Sequence, residues 1–567
     1  MRIDPRTLLQ RAITAGCAAG TLGAAVAAEA ADTGWPIYGG NYQKWHYSEL
    51  ARINRDNVHK LSFAWARSLG NAFGQESTPL VVGDTLFVTS ANGPQHVMAL
   101  DAATGAIRWK VDLEMPVGVQ QYACCGVVNR GVAYSDGLVF VGRLDGALTA
   151  LDAKTGEEVW TADVVDYKQG SVITSPPLVV KDLVITGFGG GEYGARGYIV
   201  AFDKKTGKER WKTWTVPGPG EPGNESWKGD SWKYGGGTVW LVASYDPERD
   251  LAYFGTSNPS PWNALVRGPN TSDYGPYTNK WTAATIAVDP DDGKIVWGFQ
   301  STPHDAWDYD GVNELVLVDI DVDGDGKPDP VGLKADRNGF FFVLDRTNGK
   351  ALSAETFVPT NWANGYDLTA QRPIEDPTKR PGLKKKAVDI CPNLLGGKNW
   401  MPMAWSPQTK LVYIPANNLC MDMEDSEVEY KRGSFYLGKD FPTKAGPGGY
   451  LGELIAWDPV ARKKVWGIQE KWPFNGGVLA TAGGLVFAGN YEGEFRAIDA
   501  KTGEILWKKQ LGSGIHAGPS TYEVGGKQYV VVAVGRSETI PGFLGEIGRK
   551  MIEAQPTAGM LFAFTLE

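Results

Sequence analysis

Short apolar runs recur along the chain, and each stops at an aspartate. Val97-Met-Ala-Leu100 runs into Asp101, Leu148-Thr-Ala-Leu151 into Asp152, and Tyr198-Ile-Val-Ala-Phe202 into Asp203. A few residues later comes Thr-Gly or a close variant, and then a tryptophan. The copies run from Asp101 to Trp109, Asp152 to Trp160, Asp203 to Trp211, Asp289 to Trp297, Asp458 to Trp466 and Asp499 to Trp507. Asp345-Arg-Thr-Asn-Gly349 is a copy without the tryptophan. The flanks are rich in strand-forming residues, and Asp and Gly suit the backbone angles of a hairpin turn. Repeats of roughly 40 to 50 residues with four strands each predict an all-β protein, a β-propeller of seven or eight blades, with each indole wedged between neighbouring blades.

Two intervals are longer than the rest. The one from Asp203 to Asp289 leaves room for an extra blade around Leu251-Ala-Tyr-Phe254, and the one from Asp345 to Asp458 for another around Leu411-Val-Tyr-Ile414. Residues 216–237 and 421–449 read as long insertions, which on such a fold gather on one face and build the site. No linker divides the chain, so residues 31–567 are expected to form a single domain.

Composition fits this picture. The 72 glycines and 21 tryptophans among 567 residues supply turns and wedges. With 43% hydrophobic and 21% charged residues, a disordered chain is excluded. The net charge of −9, with no Lys/Arg block, argues against a nucleic-acid partner. Residues 1–30 have the form of a secretory signal peptide: Arg2, Arg6 and Arg11, an uncharged small-residue stretch over 12–28, and an Ala28-Glu29-Ala30 cleavage site. Lipidation at Cys17 is disfavoured by Thr14, where a leucine is usual. No later apolar run reaches the ~18 residues of a transmembrane segment. The expected location is the periplasm.

Export puts Cys124, Cys125, Cys391 and Cys420 in an oxidising compartment, where an even count suggests two disulfides. Cys124 and Cys125 are adjacent and can pair only through a strained eight-membered ring; for that pair alone, two buried thiols is the plainer reading. The chain has no C-x-x-C-H motif and hence no attachment site for a c-type haem.

The cysteine pair does not stand alone. Cys124-Cys125-Gly-Val-Val-Asn-Arg130 occurs with Trp35-Pro-Ile-Tyr-Gly, Gly190-Gly-Glu192-Tyr-Gly, Gly255-Thr-Ser-Asn258-Pro-Ser-Pro-Trp-Asn, Thr302-Pro-His-Asp-Ala-Trp-Asp308 and Asp336-Arg337-Asn-Gly. Through these motifs nearly the whole mature chain resembles the pyrroloquinoline quinone (PQQ) dependent alcohol dehydrogenases, such as bacterial methanol and ethanol dehydrogenases. The resemblance implies eight blades. It implies a vicinal disulfide, Cys124–Cys125, against one face of PQQ, with Trp240 as the other wall, and a second disulfide, Cys391–Cys420. Arg130 and Arg337 match cofactor-binding arginines, which suit a tricarboxylate quinone. Glu76, Thr174 and Asn399 match further polar contacts, and Gly189, Gly190 and Gly191 form the stretch before Glu192. Two positions depart from the family. Gly189 replaces a common serine, so a backbone N–H is expected to stand in for its hydroxyl. Asn475 replaces a common tryptophan.

The same resemblance places a metal at Glu192, Asn258 and Asp308, an all-oxygen set suited to a hard cation rather than zinc. Asp308 also matches the catalytic base. Asp310 stands two residues beyond it, where calcium-type relatives carry a small residue and lanthanide-dependent relatives an aspartate. A lanthanide is therefore favoured over calcium, the alternative being Asp310 as a loop carboxylate beside a calcium site. Asp321-Val-Asp-Gly-Asp325 looks like the start of a calcium loop but lacks the later glutamate, which favours a polar hairpin. His304 reads as structural.

The expected function is alcohol oxidation to aldehyde or ketone, with electrons passing to a separate soluble cytochrome c. A sugar, polyol or bulky secondary alcohol is the alternative substrate. A non-catalytic envelope scaffold is the alternative class, though it would have no use for the cysteine pair and carboxylates. The assembly state is open, a homodimer included.

Overall fold

The computed structural model describes residues 34–90 and 95–567; the expected signal peptide and cleavage site, and Cys17, lie outside the described residues. Strands dominate, and they pair as short antiparallel meanders. Leu80–Val82, Thr85–Ser90, Gln95–Asp101 and Ile107–Leu113 form one sheet, and Ala133–Ser135, Leu138–Gly142, Ala147–Asp152 and Glu158–Asp163 form the next. In both, the third strand ends at the repeat aspartate and the fourth carries the tryptophan. The aspartate builds the turn between them. Asp101 Oδ1 accepts from the N–H groups of Ala103 and Thr104 at 3.1 and 3.0 Å, and its main-chain oxygen accepts from Gly105 N at 2.8 Å. Gly105 sits at φ +68°, a left-handed angle that glycine adopts without strain.

Each tryptophan docks on the turn of the following sheet. Trp109 Nε1 donates to Ala153 O at 3.0 Å, Trp160 to Lys204 O at 3.1 Å, Trp211 to Pro290 O at 2.8 Å, Trp297 to Arg346 O at 3.1 Å and Trp466 to Ala500 O at 3.2 Å. The ring lies against the turn glycine; a Cβ on Gly207 would stand 2.7 Å from the Trp160 ring. One junction is different. Ser353 occupies the tryptophan position of the Asp345 copy, and the turn it faces has Arg462, at φ +57°, where the others have glycine. Ser353 and Arg462 line a surface cleft there.

The two long intervals do not hold extra blades. Leu251–Gly255 is the second strand of the sheet completed by Ala284–Val288 and Ile295–Gln300, the Asp289 copy. Leu411–Asn417 is likewise the second strand of the Asp458 copy's sheet. Part of the extra length is insertion between the second and third strands, over 256–283 and 418–451; the rest lies between sheets, over 215–243 and 357–403, where Ala363–Asp367 pairs with Arg372–Glu375. One sheet joins distant parts of the chain: Leu61–Ser68 pairs with Gly559–Leu566, followed by Lys527–Gly535 and Ser520–Val524. Trp507 Nε1 reaches Leu61 O at 3.0 Å and Trp65 Nε1 reaches Ala102 O at 3.2 Å, so the series of indole contacts returns to the sheet where it began.

Neither 216–237 nor 421–449, the stretches expected to build the site, lines the best-formed cavity; Trp262 of the 256–283 insertion does, with Phe441 packed against it at 5.4 Å between ring centroids. Leu419–Asp425 pairs with Ala387–Ile390, and both disulfides, Cys124–Cys125 and Cys391–Cys420, are formed. Asp321, Asp323 and Asp325 lie in the connection between strands Val316–Ile320 and Asp329–Ala335. Among the described residues no helix is long and apolar enough to cross a membrane.

Candidate active site

A cavity of about 90 Å³ collects residues from many separate sheets and loops. Of the residues singled out in the sequence, Cys124, Cys125, Arg130, Thr174, Gly189, Gly190, Glu192, Trp240, Asp308, Arg337 and Asn399 line it. Glu76, Gly191, Asn258 and Asp310 are not on its wall but stand next to residues that are.

Two arginines dominate the polar side. Arg130 pairs with buried Glu76 at 2.9 Å and donates to Thr174 Oγ1 at 2.7 Å. Its guanidinium lies 4.5 Å from the Trp400 ring centroid and 5.4 Å from that of Trp240. Arg337 lies 5.5 Å from the same Trp240 ring. It contacts Asp308 Oδ2 at 3.3 Å and Asp310 Oδ2 at 3.0 Å. Nε of each arginine is buried without a partner. Two cations over indole faces, each with an unused donor, suit a flat polyanion, so the residues fit PQQ.

The carboxylates converge on one side. Asp308 sits at φ +69°, in the left-handed region. Burial pushes its pKa well above the usual range; Arg337 opposes this, while Asp310 and Glu192 add to it. Glu192 is pushed up to about 7 by removal from water and by the Asp310 carboxylate. Asp310 accepts from Asn258 N, Trp240 Nε1 and Arg337. Asn258 Oδ1 and Asp308 Oδ1 are buried oxygens without a partner. Space for the Asn258 oxygen depends on Gly191, where a Cβ would lie 2.7 Å from it. Unpaired hard oxygens among three carboxylates fit a hard cation. The oxygens of Glu192, Asp308 and Asp310 do not all come within 4.8 Å of one another; among the described residues the acidic triplet that does is Asp321, Asp323 and Asp325.

Gly189 does not itself supply the backbone N–H expected in place of the serine hydroxyl. Its N–H already donates to Val172 O at 2.8 Å, so it has no free donor to replace a serine hydroxyl. Asn475, in place of the expected tryptophan, bridges Trp400 Nε1 at 3.1 Å and Ser537 Oγ at 3.1 Å. His304 is buried, 2.8 Å from Asn279 Oδ1 and 3.0 Å from Pro269 O, as a structural histidine should be.

The apolar wall was not read from the sequence. Val128, Trp262, Leu394, Leu395, Ile540 and Phe543 form it. Ile540 belongs to the short helix Thr539–Gly542, and Thr539 Oγ1 donates to Cys125 O at 2.8 Å, tying this wall to the disulfide. Trp262 lies within a quoted motif and Trp400 follows Asn399, so adjacency could have flagged both. Leu394, Leu395, Ile540 and Phe543 carry no local signal.

A family profile described as glucose/ethanol/alcohol dehydrogenase, β-propeller domain, with PQQ, matches residues 35–391 and 451–530. The chain is 42% identical over 552 residues to a lanthanide-dependent methanol dehydrogenase of Methylacidiphilum fumariolicum, covering 93% of this chain and 88% of that one. It is 43% identical over 527 residues to a quinohemoprotein alcohol dehydrogenase of Comamonas testosteroni, covering 88% and 72%. Among solved structures, a europium-containing methanol dehydrogenase superposes with a TM-score of 0.89 at 41% identity, covering 95% of this chain and 99% of that one. The chain belongs to the family of PQQ-dependent glucose, ethanol and alcohol dehydrogenases, and is an enzyme of the alcohol-oxidising kind.

Proposed function

We propose that the protein is an exported, periplasmic quinoprotein that oxidises small alcohols to aldehydes or ketones, uses PQQ with one lanthanide ion, and delivers electrons to a separate soluble cytochrome c. In this reading residues 31–567 form one propeller whose four-strand units are its eight blades. The observation that carries the chemistry is Asp308, a cavity-facing carboxylate with one oxygen held by Arg337 and the other, Oδ1, without a partner.

When bound, PQQ supplies a quinone carbonyl that accepts hydride from the alcohol carbon, and a cation beside it supplies the Lewis acidity that makes this carbonyl electrophilic. Arg130, Arg337 and Trp240, with the Cys124–Cys125 disulfide, are the residues to hold the cofactor. Glu192, Asn258, Asp308 and Asp310 are those to hold the cation. Asp308 Oδ1 takes the hydroxyl proton of the substrate. Arg337 fixes the carboxylate's direction through the other oxygen. Trp262, Leu395, Ile540 and Phe543 seat the alkyl group and exclude water. This apolar wall favours simple alcohols over sugars and polyols, whose hydroxyls would go unpaired against it. Three carboxylates against the single Arg337 charge favour a trivalent ion over a divalent one. With no haem motif in the chain, electrons must leave to another protein.

The test is dye-linked alcohol oxidation by metal-free protein supplied with PQQ and either calcium or a light lanthanide. Activity with the lanthanide alone is expected. Equal activity with calcium would remove Asp310 from the metal site, and no activity with any small alcohol would point to larger substrates.

A further inference from the structure

Behind the proposed base lies a buried group that the chemistry so far does not use. Arg267 is fully buried and, among the described residues, forms no salt bridge; the Asp305 and Asp425 carboxylates act on it only from farther off. Its guanidinium is spent on neutral acceptors. Nε donates to Pro261 O at 2.7 Å, and Nη2 donates to Asp305 O at 2.6 Å and to Trp262 O at 3.4 Å. Nη1 donates to the side-chain oxygen of Asn279. A buried cation without an ion-pair partner is costly. If the fold needed only one hydrogen bond here, a neutral donor would serve at less cost. The guanidinium is the side chain whose rigid fork of five donors can span this many acceptors at once.

The acceptors are informative in their placement. Pro261 and Trp262 belong to the loop that begins at Asn258 and forms the apolar wall. Asp305 opens the loop that carries Asp308 and Asp310. Arg267 therefore ties the substrate wall to the base loop through main-chain oxygens.

Asp305 completes the tie from the other side. Its Oδ1 accepts from Trp307 N at 3.0 Å, and its Oδ2 accepts from Asp308 N at 3.0 Å and Tyr309 N at 3.1 Å. Three successive N–H groups are gathered on one buried carboxylate. The backbone is thereby wound into the turn that holds Asp308 at φ +69°, an angle an aspartate rarely adopts unaided.

We propose that Arg267 and Asp305 are positioning residues of the reaction: together they clamp the Asp308 loop against the Trp262 loop and so fix the base relative to the bound alcohol. Neither touches the reacting atoms. A displacement of the base by about an ångström can cost ~100-fold in rate, which sets the size of the expected effect.

This inference rests on Asp308 as the base. The test uses the PQQ- and metal-loaded enzyme carrying Arg267→Lys or Asp305→Asn. Lysine keeps the charge but cannot span the acceptors; asparagine keeps one acceptor oxygen and loses the other. Bound PQQ per chain is read by absorbance, metal by elemental analysis, and folding by thermal midpoint. The expected result is full loading, KM changed less than about threefold, and kcat down by about 100-fold. A lowered midpoint with kcat within about threefold of the parent would make the clamp merely structural and overturn the proposal. A rise in KM at constant kcat, or a loss of rate matched by loss of cofactor, would overturn it as well. If Arg267→Lys does not fold, Asp305→Asn decides the question, because the Arg267 bond goes to the main-chain oxygen and survives that change. Asp308→Asn separates the two readings. Full turnover in that variant would sink the base itself, whereas lost turnover there with unchanged turnover in both clamp variants would sink the clamp alone.

Discussion

Asp310 is the residue on which metal choice turns, and its surroundings decide how to test it. It accepts from Asn258 N, Trp240 Nε1 and Arg337. Asp310→Ala would strand all three donors and release the Trp240 wall, confounding metal affinity with cofactor seating. Asp310→Asn keeps the shape and removes the charge. It is expected to weaken lanthanide binding at least tenfold while changing calcium binding much less, read by titrating metal into apo protein. Asp308→Asn is expected to lower kcat by about 10²–10⁴-fold with an unchanged thermal midpoint, the usual scale for loss of a general base. Most residues facing the cavity on its polar side were legible in the sequence, because charge, cysteine adjacency and glycine leave marks in short motifs. Leu394, Leu395, Ile540 and Phe543 were not, since an apolar wall residue looks like any core residue until the fold brings it to the cavity. Arg267 and Asp305 were hidden differently: their work is done on main-chain atoms, which a sequence does not advertise.

At the scale of the strand and turn, the Asp-to-Trp repeat was readable because it is local. A turn aspartate, a left-handed glycine and a tryptophan eight residues past the aspartate need no distant partner to be recognised. Counting blades by spacing misled over 203–289 and 345–458, because insertions within and between the four-strand sheets lengthen the repeat and add only small sheets of their own. Gly207→Ala should cost about 1–3 kcal/mol, since the new Cβ would meet the Trp160 ring at 2.7 Å and sit at φ +68°. Thermal denaturation is the check. The junction without an indole offers the opposite experiment. Ser353→Trp combined with Arg462→Gly restores both halves of the docking pair and should raise stability by about 1–2 kcal/mol, with the double change exceeding the sum of the singles. A double-mutant cycle of thermal midpoints would reveal no such coupling if that cleft has relaxed around the serine.

Across the whole molecule, one buried lysine should leave a mark on stability. Lys44 is buried, its Nζ donates to Tyr38 O at 2.8 Å, and burial pulls its pKa down to about 7. His46 beside it, pushed down to about 3, is neutral throughout the relevant range. The unfolded chain holds the lysine proton up to pH ~10.4, so between about 7 and that value the unfolded state binds more protons and stability rises with pH. The Lys44 share of the rise is on the order of 2 kcal/mol from pH 7 to 9, and Lys44→Met should flatten the slope by that much, leaving the share of buried Lys439, whose pKa is pulled down to about 8; an unchanged slope in denaturant titrations would mean Lys44 stays charged when folded. The sheet built from Leu61–Ser68 and Gly559–Leu566 has a consequence in time. At about 5–20 residues per second of synthesis, the first strand exists for roughly half a minute or longer before its partner is made. During that wait it is an open edge bearing Phe63, which is 56% exposed even in the finished sheet. An edge left open that long invites mispairing, so yield is expected to depend on how well it is shielded as well as on the stability of the finished enzyme.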